Sequence, residues 1–136
     1  KRQSQIPYFN MSQHDFTIAG SQSSPSISSD WARGVLSLEG DSYPENAHEL
    51  FKQVFDWIRR YLADAGQPLR LELRLLYLNT SSIKALMDIL DLLEEAHRQG
   101  KPVSVNWHYD HRNERVFELA EEFREDCTFP FEIISS

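Results

Sequence analysis

Three adjacent hydroxyls in Leu78-Asn79-Thr80-Ser81-Ser82-Ile83 are the side chains of this sequence best placed to do chemistry. They stand where a leucine-rich segment gives way to a long apolar one. At the start of a helix a side-chain oxygen accepts backbone N–H groups that lack intrahelical partners. The same position carries partial positive charge and holds anions. A hydroxyl there is either an N-cap or a phosphate acceptor, and spacing alone favours the cap. If Thr80 is the acceptor, the N–H groups of Ser81, Ser82 and Ile83 are expected to receive the phosphate oxygens. By residue type, Ser81 and Ser82 compete with it.

The remaining candidates are weaker. His108-Tyr109-Asp110-His111 offers two imidazoles and a carboxylate, the ligand types of a small metal-dependent hydrolase. If 103–109 is a strand, His108 points to its polar face while Asp110 and His111 lie in the next turn. No distant Cys/His pair completes a set, so no metal site is expected, and Asp110 or Asn113 should cap the following helix. Glu118, Glu121, Glu122, Glu125 and Asp126 read as a solvated helix face rather than an acid/base pair. Cys127 has no recognisable base partner, and His14-Asp15 carries no signal. No catalytic residue and no cofactor are assigned. The domain is expected not to be an enzyme, so phosphate on Thr80 must come from a separate kinase.

The elements that must position the hydroxyls follow from periodicity. Leu69-Arg70-Leu71-Glu72-Leu73-Arg74-Leu75 alternates as a half-buried strand, placing a central strand over 69–78. A helix follows over 81–98, ended by Gly100 and Pro102. Phe16–Ala19 reads as a short edge strand, 20–30 as a Ser-rich connection with little to bury, and Val35–Glu39 as a strand. Ser42-Tyr43-Pro44-Glu45 opens a helix to about Asp64, with Leu50, Val54, Ile58 and Leu62 inward. Pro102–Tyr109 is another strand, 113–126 a third helix, and Phe129, Phe131 and Ile133 a last strand. Opposite the apolar strand faces lie Ser37, Glu39, Arg70, Glu72, Arg74, Ser104, Asn106, His108 and Glu132. Strands buried on both faces would read as continuous apolar runs. The expected fold is therefore α/β, two layers, a mixed β-sheet with helices mainly on one face, in the order β-β-α-β-α-β-α-β. No Gly-x-Gly-x-x-Gly supports a dinucleotide fold.

In the helix after the hydroxyls, the apolar positions from Ile83 to Ala96 span roughly 220°, where packing on a sheet needs about 100° or somewhat more. The surplus is buried by a neighbouring helix or left for a partner. The expected docking surface centres on Ala85, Leu86 and Met87. Its edge near Asn79, Ser81, Ser82 and Tyr109 should be sensitive to phosphate on Thr80, which adds about −1.5 to −2 charges.

Composition narrows the function classes. At 136 residues the chain is one domain. A net charge of −7 disfavours nucleic acid and anionic membranes, and no apolar run is long enough to insert across a bilayer. The lone Cys127 and the lack of a visible secretory signal suit a cytoplasmic location. Residues 1–10, ahead of Met11, read as a cloning remnant, leaving 11–136 as the domain.

Long contiguous strings carry a resemblance. GDSYPEN, LRLLYLNTSSIKALMDILDLLEEAH and WHYDHRNERVFELAEEFRED closely resemble the SiaC family of bacterial regulatory phosphoproteins, relatives of the sulfate-transporter and anti-sigma-factor-antagonist (STAS) domain. The resemblance runs from about Met11 to the C-terminus. It implies a STAS-like fold and a phosphorylated threonine at Thr80. It also implies a threonine kinase of histidine-kinase-like fold, a PP2C-type phosphatase, and activation of a diguanylate cyclase by the unphosphorylated form, promoting cyclic di-GMP synthesis and biofilm signalling. In anti-sigma-factor antagonists the acceptor is usually a serine following an aspartate; Asn79-Thr80 departs from that pair. An anti-sigma-factor antagonist is therefore the second reading, and a small metal-dependent hydrolase on His108, Asp110 and His111 the third.

Overall fold

A computed structural model describes residues 15–136. The expected cloning remnant, residues 1–10, and His14 lie outside the described residues. Six strands form one sheet in chain order: β1 (Thr17–Ile18), β2 (Ser26–Asp30), β3 (Val35–Ser42), β4 (Leu69–Leu78), β5 (Val103–Tyr109) and β6 (Phe131–Ser135). The first two pairings are antiparallel and the remaining three parallel. Each parallel pair is joined by a helix: α1 (Ala47–Asp64), α2 (Thr80–Arg98) and α3 (Glu114–Arg124). Right-handed crossovers repeated in one direction along a sheet bring every helix to the same face. The mixed, two-layer α/β class expected from the alternation is the observed one.

The core lies between those layers. Leu36 and Leu38, Leu69 to Leu75 at alternate positions, and Val103, Val105 and Trp107 point inward and are nearly or fully buried. They meet Phe51, Val54, Trp57, Ile58 and Tyr61 of α1, Leu86, Ile89 and Leu93 of α2, and Val116, Ala120 and Phe123 of α3. The open face carries the expected polar residues, with Ser37, Glu72, Asn106 and Glu132 in one row. Glu72 centres it, accepting from Arg70 Nε at 2.7 Å and Asn106 Nδ2 at 2.9 Å and meeting His108 Nε2 at 2.6 Å. Burial raises the Glu72 pKa, but the hydrogen bonds from Asn106, His108 and Arg70 outweigh it and hold the carboxyl below its ordinary value.

Four details differ from the sequence reading. Residues 26–30, read as connection, form β2, because a sheet edge requires backbone pairing and one inward side chain, supplied by Ile27 at 1% exposure. Helix α1 begins at Ala47, not at Pro44: Asn46 caps it by accepting the Glu49 N–H at 3.0 Å. Its buried stripe is set by Phe51, Trp57 and Tyr61, leaving Leu50 and Leu62 half-buried. Finally, Asp15 is a structural anchor. Its carboxylate accepts from the Trp31 N–H at 2.9 Å, Ser29 Oγ at 3.0 Å and Trp57 Nε1 at 3.2 Å, tying the first strand to α1.

Candidate functional site

Parallel strands and crossover helices place every helix N-terminus at the carboxyl edge of the sheet, where α/β ligand and modification sites are commonly built. On this edge β3 ends at Ser42, β4 at Leu78 and β5 at Tyr109, and α2 starts at Thr80. The junction is fastened by the Asn79 N–H to the Ser42 carbonyl at 2.9 Å and by Ser42 Oγ to Ser82 Oγ at 2.7 Å. Both serines are fully buried.

The hydroxyl cluster divides its labour. Asn79 is the N-cap: its Oδ1 accepts the Ser82 N–H at 2.9 Å and the Ser81 hydroxyl at 3.2 Å. Ser82 is an internal tether and Ser81 is engaged with the cap. Thr80 occupies the first helical position, exposed, and among the described residues its hydroxyl has no hydrogen-bond partner. Of the three hydroxyls it is the one not engaged in a hydrogen bond. The set of donors expected to receive a phosphate narrows to two and starts one residue earlier. The Ser82 and Ile83 N–H groups are consumed by the Asn79 side chain and carbonyl. The uncommitted donors of the first turn are the N–H groups of Thr80 and Ser81.

The expected docking surface also changes. Ser82 at 0%, Leu86 at 1% and Ala85 at 8% exposure are part of the interior, because α1 and the sheet cover most of the wide apolar arc of α2. Met87, 49% exposed, is the apolar side chain of that set open to a partner. Tyr109 is half-buried, its ring 5.4 Å from Phe117. Residues that the alternation did not single out complete the edge. Leu76 and Tyr77 are 53% and 52% exposed, and Tyr43 meets Tyr77 with ring centroids 6.0 Å apart. A register shift between Gly40 and Ser42 breaks the inward–outward alternation, so that Leu76 and Tyr77 both face out between inward Leu75 and Leu78. The signal in the sequence was the unbroken run Leu75-Leu76-Tyr77-Leu78.

The other candidates separate. His108 binds Glu72, the His111 ring lies 2.9 Å from the Ser136 carbonyl, and Asp110 pairs with Arg112 Nη2 at 2.6 Å. The hydrogen bond and charge of Arg112 hold the Asp110 carboxyl well below the usual range. Asp110 and the His111 ring approach each other at 3.8 Å, but His108 is held by Glu72, so the three side chains that a hydrolase would need do not converge. Asn113 caps α3 by accepting the Val116 N–H at 3.2 Å. The Cys127 thiol is pushed up to about 11, by burial first and then by Glu94, Asp126 and Asp91, which leaves it without nucleophilic character near neutral pH. Glu94, absent from the sequence reading, is buried on α2; its carboxylate accepts the Thr128 N–H at 2.8 Å and hydroxyl at 2.6 Å. Among the described residues no helix is long and apolar enough to cross a membrane.

Comparison with known proteins identifies the family and the fold. The model of the SiaC family of regulatory phosphoproteins matches residues 18–136. An uncharacterised protein of Pseudomonas aeruginosa strain UCBPP-PA14 is 71% identical over 119 residues, 88% of this chain and 94% of that one. SiaC of Pseudomonas aeruginosa, in the crystal structure of the diguanylate cyclase SiaD with SiaC as its activator, is 69% identical. It superposes with a TM-score of 0.88 over 90% of this chain and 100% of the other. Apo-SiaC from the same organism is 68% identical, with a TM-score of 0.85 over 89% and 98% of the two chains. With the family model covering most of its length, this chain belongs to the SiaC family of regulatory phosphoproteins.

Proposed function

We propose that this protein is a phosphorylation-switched adaptor: unmodified, it binds and activates a diguanylate cyclase, and phosphate on Thr80 ends that contact. The observation that carries the reading is the chemical isolation of Thr80. It is an exposed hydroxyl on a carboxyl edge whose neighbours Asn79, Ser81 and Ser82 are all committed to holding the helix start. The complex of a 69% identical SiaC with its cyclase supports the choice of partner. The docking edge is formed by Tyr43, Leu76, Tyr77 and Met87, with Asn79, Ser81 and Tyr109 bordering it. The chain itself is not an enzyme. A threonine kinase of histidine-kinase-like fold adds the phosphate and a PP2C-type phosphatase removes it, all in the cytoplasm.

The physical basis of the switch is desolvation. A phosphate dianion held against an apolar contact without a cation costs several kcal/mol, while a micromolar complex is worth about 8 kcal/mol. Lys84, one turn along α2, is already engaged with Asp88 at 2.9 Å. The net charge of −7 adds repulsion to any new anion. Incubation with the cognate kinase and ATP, followed by intact mass and phosphopeptide mapping, tests the site. One phosphate on Thr80, lost in Thr80→Ala, is expected; modification of Ser81, Ser82 or a distant residue overturns it. Capture of an anti-sigma factor in place of a cyclase would favour the second reading.

A further inference from the structure

Helix α1 packs along α2, but α2 and α3 leave a cleft between them. Its volume is 170 Å³, with Leu90, Leu119, Phe123 and Cys127 along its walls and Ile83 and Met87 at one end. A space of about 150 Å³ lined by apolar side chains is enough to hold a benzene ring, so this one suits a single large apolar side chain. Four carboxylates complete the lining: Asp91, Glu94, Glu122 and Asp126. Glu94 is taken by Thr128 and by Arg98 at 3.4 Å. Asp91, Glu122 and Asp126 are exposed, and among the described residues no cation pairs with them. The basic side chains nearest in sequence are engaged elsewhere, Lys84 with Asp88 and Arg124 with Glu121. Negative potential also reaches the wall of the cleft, since Asp126 and Asp91 contribute to the raised pKa of the Cys127 thiol.

We propose that the cleft between α2 and α3 is an anchor pocket for a basic amphipathic helix of a partner protein, with one apolar side chain seated among Met87, Leu90, Leu119 and Phe123 and flanking Lys or Arg side chains paired with Asp91, Glu122 and Asp126. Charge selects the occupant: an apolar pocket ringed by unpaired carboxylates repels acidic and favours basic segments. Geometry selects the helix, because side chains three and four positions from an anchor lie on its face, about 5–6 Å away, and two flanking helices form the groove that an amphipathic helix fills. Asp91 lies eleven residues beyond Thr80, roughly 16 Å along α2. The acidic rim of the cleft is therefore distant from Thr80, although Met87 belongs to the proposed docking edge as well, and the inference does not require Thr80 to be the acceptor.

The probe is a fluorescein-labelled, Ala-based helical peptide with central Leu residues four apart and Lys three or four positions to either side; a second peptide carries Glu in place of Lys. Anisotropy with the full chain should show the Lys peptide binding at least tenfold tighter than the Glu peptide. Asp91→Lys/Asp126→Lys should exchange that preference. Met87→Lys should weaken the Lys peptide tenfold or more, and Thr80→Asp should change it less than twofold. Methyl resonances of Met87, Leu90 and Leu119 should shift on binding. No binding of the Lys peptide, equal binding of the two peptides, a preference that survives the charge exchange in a folded chain, or shifts centred elsewhere would overturn the assignment. So would a concentration-dependent dimer abolished by Met87→Lys, which would give the cleft to a second copy.

Discussion

The Ser42–Ser82 pair holds the α2 start against the end of β3, and a double-mutant cycle measures what it contributes. Both hydroxyls are fully buried and 2.7 Å apart. Ser82→Ala leaves Ser42 Oγ buried without its partner, and Ser42→Ala does the same to Ser82. An orphaned buried hydroxyl costs about 1–3 kcal/mol, whereas removing both partners together is nearly neutral by comparison. Each single substitution should therefore lower stability by about 1–3 kcal/mol. The double variant should cost less than the sum, leaving a coupling energy of about 1–2 kcal/mol within the range for residues in direct contact. Urea denaturation reads this as a shift in midpoint at constant slope, with a slope of about 1–3 kcal/mol/M for a small domain. Additive losses, with no coupling beyond about 0.5 kcal/mol, would show that the two serines do not fasten the junction, and the description of how Thr80 is presented would have to be rebuilt.

Further outcomes follow from the same contacts. Asn79→Ala should destabilise by about 0.5–2 kcal/mol through loss of the α2 cap, whereas Thr80→Ala should stay within about 0.5 kcal/mol in the same denaturation assay. Gly34 has φ +69°, and a Cβ there would meet the Pro68 carbonyl at 2.3 Å and the Tyr61 hydroxyl at 2.5 Å; Gly34→Ala should cost roughly 2–4 kcal/mol, and Tyr61→Phe should not rescue it. The Thr128 N–H and hydroxyl hold Glu94 below its ordinary carboxyl value. Its stabilisation is thus present above the unfolded-state pKa and lost as pH falls through the folded one. Glu94→Gln should cost about 1.5–3 kcal/mol at neutral pH, and that difference should shrink on acidification below the ordinary carboxyl range.

The sheet and helices were largely legible because one face of the sheet is open. Alternation such as Leu71-Glu72-Leu73-Arg74 marks strand and face together, and the 69–78 strand was placed with its observed ends. What escaped the pattern depends on long-range contacts. Strand β2 has Ile27 as its fully buried side chain and is held by pairing with β3. Asp15 acquires its role from Trp31 and Trp57, the latter forty-two residues away. At the site, residue types located the hydroxyl cluster and the family resemblance pointed to Thr80. Burial then separated Met87 from Leu86 and Ala85, which periodicity alone left on the same apolar arc. Leu76 and Tyr77 face out through a shift in register whose trace in the sequence is the unbroken apolar run Leu75-Leu76-Tyr77-Leu78.

The central claim is that phosphate on Thr80 governs the contact with a cyclase. The direct measurement is calorimetric affinity for the cyclase, together with its turnover, using unmodified, Thr80-phosphorylated and Thr80→Asp protein. Unmodified protein should bind and activate. The phosphorylated form should lose at least about 3 kcal/mol, more than a hundredfold in Kd, with turnover falling to the cyclase-alone level. Thr80→Asp should fall between them, because one carboxylate brings less charge and fewer acceptor oxygens. Equal affinity and equal turnover for all three forms would contradict the account.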